Sequence, residues 1–265
     1  MDDYRREIDL DRLWSTIHEE ARRDAQQFPL LADFYQQQLL QHDNFGAALA
    51  YILATKLSDD PFRIDAWHAQ FSQLMEADPA IEAAALKDLC CQLQSNASIK
   101  DHYTPLLHFG GYQALQAHRL AHACWQRGDQ PLANYIQGRV VSLYGVDIHP
   151  AARIGAGIFI DHAVGIVIGE TAVVEDEVTI FQSVTLGGTG KGQGDRHPKI
   201  RRGAFIGSGA LVLGNIEIGA EAKVAAGAVV VKPVAANQTV VGSAARLIGA
   251  AKLDASSAEN KGNRV

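Results

Sequence analysis

Ile148-His149-Pro150-Ala151-Ala152-Arg153 is followed by Ile154-Gly155-Ala156-Gly157-Ile158-Phe159 and then by Ile160-Asp161-His162-Ala163-Val164-Gly165, three blocks of six that each open on isoleucine. An aliphatic residue or alanine recurs in phase at Ile166, Ala172, Val178 and Val184, breaks off, and resumes at Ile200, Ile206, Val212, Ile218, Val224 and Val230. Six is a multiple of the two-residue pleat, so every marked position faces one way, and a hexapeptide period is the signature of a β-helix. The stretch reads as seven hexads without a slip, an interruption, and six more. The marked positions then fill the interior of the prism that such a solenoid forms. Sixteen residues separate Val184 from Ile200, ten more than one hexad, and a prism of fixed circumference cannot absorb them. They are predicted to protrude as a loop over 185–199, rich in glycine at its centre and charged at its end. Such a loop on a rigid scaffold is a functional element.

Upstream the composition changes. Residues 1–144 hold 5 of the 24 glycines and all three tryptophans, Trp14, Trp67 and Trp125, whereas 145–250 hold 18 glycines. Apolar residues recur there at helical spacing, with Leu10, Leu13, Ile17 and Ala21 on one face and Leu132, Ile136, Val140 and Leu143 on another. Pro29, Pro61, Pro79, Pro105 and Pro131 punctuate the segment, and Ser58-Asp59-Asp60-Pro61 reads as a stop followed by a new start. The expected organisation is α + β: an all-helical domain of six to eight helices over 1–145, a parallel β-helix over 146–250, and an aperiodic flexible tail over 251–265.

Composition excludes several classes. A net charge of −6 and the lack of a Lys/Arg stripe with interleaved aromatics argue against a nucleic-acid partner. No signal-peptide layout and no apolar run of about 20 residues are present, so no membrane partner is expected. Cys90, Cys91 and Cys124 cannot form an even disulfide framework, which fits a reducing compartment and a cytoplasmic location. His118 and His122 have the i, i+4 spacing of a helical metal pair, but Arg119 stands where a zinc protease carries glutamate. Gly187-Gly188-Thr189-Gly190-Lys191 lacks the spacing of a phosphate-binding P-loop. His149, His162 and His197 are too scattered to read as a zinc trio, and no metal is expected.

Asp161 and His162 interrupt the solenoid just after Ile160, and Asp147 lies one residue before Ile148. On a coil of about eighteen residues, positions 147 and 162 fall on successive turns near one edge. An imidazole oriented by a carboxylate is what a general base requires. A solvated corner histidine and a capping aspartate fit the spacing as well. Arg196 and His197, which end the predicted loop and add a fixed cation and a second imidazole, favour the chemical reading.

Val146-Asp147-Ile148-His149-Pro150-Ala151-Ala152, Asp161-His162-Ala163, Gly169-Glu170-Thr171-Ala172 and the run from Gln182 to Lys191, continuing through Gly194-Asp195-Arg196-His197-Pro198-Lys199-Ile200, resemble bacterial serine acetyltransferases of the hexapeptide-repeat acyltransferase superfamily. Asn44–Tyr51 and Thr104-Pro105-Leu106-Leu107 extend the resemblance into the helical half, so that it covers about residues 8–250. It implies a left-handed β-helix, acetyl-CoA as co-substrate with no permanently bound cofactor, L-serine as acceptor, and the first step of cysteine synthesis. It implies further that His162 is the base and Asp147 orients it, with no acyl-enzyme. Asp161 would hold the substrate ammonium, Arg196 and His197 of a neighbouring subunit its carboxylate, and Gly188, Ser208 and Lys223 the CoA arm. A homotrimer or dimer of trimers, feedback by L-cysteine, and docking of an O-acetylserine sulfhydrylase on the C-terminal tail complete the expectation.

The sequence departs from the family at three places. Asn96 stands where an aspartate usually precedes the threonine of Thr-Pro-Leu-Leu by eight residues, which puts one ammonium contact on a neutral amide or shifts it to Asp101. Gly242-Ser243-Ala244-Ala245-Arg246 lacks the usual proline before its second alanine, and Val265 replaces the usual terminal isoleucine. Two rivals remain open at this point. One is a hexapeptide acyltransferase for a sugar or amino sugar, against which the large helical domain argues. The other is a non-catalytic trimeric scaffold, against which the Asp147, His162, Arg196 and His197 set argues.

Overall fold

The computed structural model describes residues 10–190 and 193–244. Eight α-helices lie among them: α1 (Leu10–Gln27), α2 (Ala32–Tyr35), α3 (Phe45–Leu57), α4 (Ile64–Ala77), α5 (Pro79–Ser95), α6 (Thr104–His108), α7 (Gly110–Gln126) and α8 (Gln130–Tyr144). All five prolines noted in the sequence sit in the first turn of a helical element, where the missing N–H has no partner to lose. Leu13, Ile17 and Ala21 are buried on one side of α1. On α8 the buried stripe is Ala133, Ile136 and Val140, while Leu143 is 44% exposed. The face predicted from Leu132 to Leu143 is therefore rotated toward Ala133. α8 stops at Gly145, whose φ of 63° is the left-handed C-terminal geometry glycine adopts without strain.

Fourteen short strands follow: β1 (Asp147–Ile148), β2 (Arg153–Ile154), β3 (Phe159–Ile160), β4 (Val167–Ile168), β5 (Val173–Val174), β6 (Thr179–Ile180), β7 (Thr185–Gly187), β8 (Lys199–Ile200), β9 (Phe205–Ile206), β10 (Leu211–Leu213), β11 (Glu217–Ile218), β12 (Lys223–Val224), β13 (Val229–Val230) and β14 (Thr239–Val240). All pairings are parallel and, apart from β12 with β14, run every third strand, giving three sheets. Face A is β1-β4-β7-β10-β13, face B is β2-β5-β8-β11 and face C is β3-β6-β9-β12-β14. This is a β-helix, as the hexad period predicts, with three faces to each coil.

The register corrects the sequence reading in two places. Ile148 pairs with Ile168, Ile168 with Leu186, Leu186 with Val212 and Val212 with Val230, so the four coils span 20, 18, 26 and 18 residues. The hexads do slip: two extra residues enter between Ile160 and Val167, in the turn that carries Asp161 and His162. Ile166, Ala172, Val178 and Val184 keep the apparent phase because they fill a second inward position, two residues before the strand's own buried residue. The second correction follows from the first. The later insertion is eight residues, not ten. Thr185–Gly187 form β7 and Lys199 opens β8, so the excursion runs over 188–198 rather than 185–199.

The first coil of a solenoid leaves a row of unpaired backbone groups, and the helical half covers it with buried polar side chains. Asp88 Oδ1 accepts from Ile158 N at 2.9 Å, Gln92 Nε2 donates to Ile160 O at 3.2 Å, and Arg119 donates to Ile154 O and Gly155 O at 3.3 and 2.7 Å. The ring of His122 donates from Nδ1 to Pro150 O at 2.7 Å, which gives the i, i+4 histidine a capping use. Burial pushes the Asp88 carboxyl above its usual range, and Arg119, 2.6 Å away, opposes that shift. Breaking a buried pair of this kind costs about 3–5 kcal/mol. This clip fixes α5 and α7 on the coil that leads into the Asp161–His162 turn.

Candidate active site

The turn joining faces C and A holds His162 and Ala163 at φ of 58° and 65°, a left-handed conformation that is strained for residues bearing a Cβ. Such strain persists only where the surroundings impose it. Here Ala163 N donates to Asp161 O at 2.6 Å, Val164 N to His162 O at 2.8 Å and Gly165 N to Gly145 O at 2.8 Å. From below, Gly111 at the start of α7 lies so close that a Cβ there would sit 2.8 Å from Ile160 O and 3.2 Å from the Ala163 methyl. The His162 side chain is thereby thrown outward, 70% exposed, with Nε2 3.5 Å from Asp161 Oδ2.

Asp147 opens β1 beneath this turn, its N–H bonded to Ile166 O at 2.9 Å. Its Oδ1 accepts from Gln137 Nε2 on α8 at 2.6 Å, and the ion-pair contact of His162 is with Asp161, not Asp147. Along α5, Asp88 meets Ile158 and Gln92 meets Ile160, and Asn96 follows the last residue of that helix in an extended conformation. Its Oδ1 accepts from Ser98 N at 3.0 Å and Ser98 Oγ at 2.6 Å. Asp101, the alternative anchor, is engaged in the turn that leads into α6. Its oxygens accept from Tyr103 N, Thr104 N and Thr104 Oγ1 at 3.0, 2.6 and 2.7 Å.

Arg196 and His197 lie at the other edge of face A, where the 188–198 excursion leaves the A–B corner. Thr171 pins them: its Oγ1 accepts from Arg196 N at 3.0 Å and His197 N at 3.1 Å. Thr171 N donates to His197 Nδ1 at 3.1 Å. Nδ1 is thus an acceptor, the neutral ring carries its proton on Nε2, and burial followed by the Arg196 charge lowers the ring's basicity. The ring lies flat on Gly169, where a Cβ would come within 2.1 Å of it. Arg196 Nη2 pairs with Glu170 Oε2 at 2.7 Å, which holds the Glu170 carboxyl below its usual range.

Gly188 belongs to this second edge, 3.5 Å by its Cβ direction from His197 Nε2. Ser208, whose Oγ donates to Gln182 Oε1 at 3.3 Å, stands on the C–A corner below His162, and Lys223 is exposed on face C. The residues singled out from sequence therefore fall in two groups. Asp147, Asp161, His162 and Ser208 lie along the C–A edge of face A; Gly188, Arg196 and His197 occupy the A–B edge. Two clefts of about 740 and 490 Å³ between the helices and the first coils contain none of them. Sequence reasoning gave no role to Gln137, Gln92, Glu170 or Thr171, whose contacts are made between separate elements.

A family profile described as "Serine acetyltransferase, N-terminal" matches residues 13–117, and "Bacterial transferase hexapeptide (six repeats)" matches 197–232. The chain is 48% identical over 241 residues to a serine acetyltransferase of Salmonella typhimurium, covering 91% of this chain and 88% of that protein. It belongs to the serine acetyltransferase family.

A serine acetyltransferase from Brucella abortus, solved in complex with coenzyme A, superposes with a TM-score of 0.85 at 42% identity, covering 91% of this chain and 96% of that one. The soybean serine acetyltransferase complexed with serine gives 0.84 at 44% identity, covering 89% and 97%. The family's left-handed β-helix following a helical region is the fold of this chain.

Proposed function

We propose that this chain acetylates the hydroxyl of L-serine with acetyl-CoA by direct attack at a site shared between two subunits. His162 takes the hydroxyl proton as the serine oxygen adds to the thioester carbonyl. Asp147 orients the imidazole and stabilises the cation that forms, and the tetrahedral intermediate collapses to O-acetylserine and CoA. Asp161 and Asn96 receive the substrate ammonium. Arg196 and the Nε2–H of a neutral His197 receive its carboxylate, and Gly188, Ser208 and Lys223 border the CoA arm. L-cysteine, which differs from serine by sulfur in place of oxygen, meets the same ammonium and carboxylate contacts and inhibits.

The observation that carries this reading is the division of the site residues between two edges of one face. Face A between them presents Val167, Val229 and Val231, 39%, 61% and 58% exposed, whereas Arg201, Glu175 and Glu217 pair across face B. A heterologous contact that lays one chain's C–A edge against its neighbour's A–B edge closes as a ring of three and covers the aliphatic face. Phe28, Leu30, Leu31 and Phe62, exposed by 49%, 95%, 41% and 97%, offer the helical half a second contact through which two trimers join. The decisive assay is release of free CoA from acetyl-CoA on addition of L-serine, with no release on addition of galactosides or amino sugars. Ala245, Arg246 and the sulfhydrylase-docking tail ending in Val265 lie outside the described residues.

Two substitutions test the substrate contacts. Asn96→Asp gives the ammonium an ionised acceptor in place of a neutral amide and turns a hydrogen bond charged on one side into an ion pair. It is expected to lower the KM for serine several-fold and to tighten cysteine inhibition without changing the KM for acetyl-CoA. An unchanged serine KM removes Asn96 from the site. Gly169→Ala drives a methyl into the His197 ring and is expected to raise the serine KM by about tenfold or more, the loss of one or two hydrogen bonds to a charged group. Wild-type steady-state kinetics for this variant would take His197 out of carboxylate binding.

A further inference from the structure

We propose that Gln137 is a positioning residue for the transfer, fixing the Asp147 carboxylate so that its second oxygen is presented to His162; this rests on the dyad assignment made above. The contact is 2.6 Å long and runs from Gln137 Nε2 to Asp147 Oδ1. Its polarity is set by chemistry, because an ionised carboxylate only accepts and the amide must therefore present its NH₂ group. Among the described residues Oδ2 has no comparable fixed donor. One oxygen held and one left available is the arrangement that stops a carboxylate rotating about its own bond while it orients an imidazole.

The element that carries Gln137 is rigid. Arg139, two residues on, donates from Nε to Leu57 O at 2.8 Å and from Nη2 to Ser58 O, tying α8 to the end of α3. Tyr144 OH donates to Gln113 Oε1 at 2.8 Å, and Gln113 Nε2 donates to Leu106 O at 2.9 Å, tying its other end to α7 and α6. Ile136 and Val140 bury the face between them. A donor on such a helix holds its acceptor more tightly than one on a loop, and groups of this kind commonly fix the orientation of catalytic carboxylates. The helical half thus contributes to the chemistry through Asp147, beyond packing and assembly.

Gln137→Met keeps length and helix propensity and removes the donor. It is expected to lower kcat by about tenfold, the scale of one hydrogen bond to a charged group, while both KM values stay within about twofold. In an Asp147→Asn background the same change is expected to cost less than about twofold, because there is no charge left to orient. Gln137→Glu, which cannot donate and sets a like charge against Asp147, is expected to lose at least as much turnover. If Asp147→Asn is impaired while Gln137→Met and Gln137→Glu turn over normally, the inference fails and the dyad stands. If Asp147→Asn itself keeps full turnover, the dyad fails and the inference falls with it. Equal losses from Gln137→Met with and without Asp147 would make Gln137 a packing residue only, and would likewise overturn the proposal.

Discussion

Replacing His162 by Asn is expected to lower kcat by about 10²–10⁴-fold and to leave the KM for acetyl-CoA unchanged, the range associated with loss of a positioned general base. Serine's hydroxyl ionises far above neutral pH, so without a base the attack must begin from the neutral alcohol. The structure makes Asn the better choice of replacement. His162 sits at a φ of 58°, where a residue bearing a Cβ carries backbone strain of about 1–2 kcal/mol and Asn, which tolerates the left-handed region, carries less than Ala. A loss in the Asn variant therefore reports chemistry, and an additional drop in Tm for Ala over Asn measures the strain. Asp147→Asn is expected to lose less than the His162 variant, because it removes orientation and charge but keeps the base. A His162→Asn enzyme that turns over serine within a few-fold of wild type would end the base assignment, whatever the other variants do.

The solenoid was legible because its signal is local and repeated: an aliphatic residue every six positions is imposed by the prism at each corner. The helix starts were legible because proline at a first turn and Asp60 before Phe62 N are short-range effects. The two-residue slip at Asp161–Gly165 was hidden for a physical reason. An even shift preserves the pleat, and both inward positions of the coil take aliphatic residues or alanine, so Ile166 and Ala172 pass for the continuing series. That slip is the candidate site. Its two residues are what allow His162 to leave the coil, and the resulting excess reappears in the sequence as a loop overcounted by the same two.

Gln137 and Thr171 were illegible for another reason. Each meets its partner across separate elements, 10 and about 25 residues apart in sequence, and a polar residue with a distant partner has no period. Gly169 was visible only as part of a resemblance; the role it serves appears once His197 lies against it. Sequence could name candidate residues but could not separate them between the two edges of face A. That separation depends on which edge of face A each residue occupies, and the edge depends on the corrected register.

Mixing His162→Asn chains with Arg196→Ala chains is expected to restore activity that neither variant has alone. Each variant is expected to be severely impaired, one in the base and the other in the cation that holds the substrate carboxylate. In a ring of three, every interface pairs the C–A edge of one chain with the A–B edge of the next. With random exchange about one interface in four joins an intact His162 to an intact Arg196, so activity per chain should approach about a quarter of wild type. If instead both residues served one substrate within a single chain, no hybrid would contain an intact site. Activity would then stay at the sum of the two parents. Subunit exchange must be verified independently, for instance by co-purification of differently tagged chains, since a failure to mix would imitate that result. With exchange verified, an unrestored mixture would overturn the shared site. The face A edges would then need another explanation for why Arg196 and His197 are pinned by Thr171 so far from the histidine they are supposed to serve.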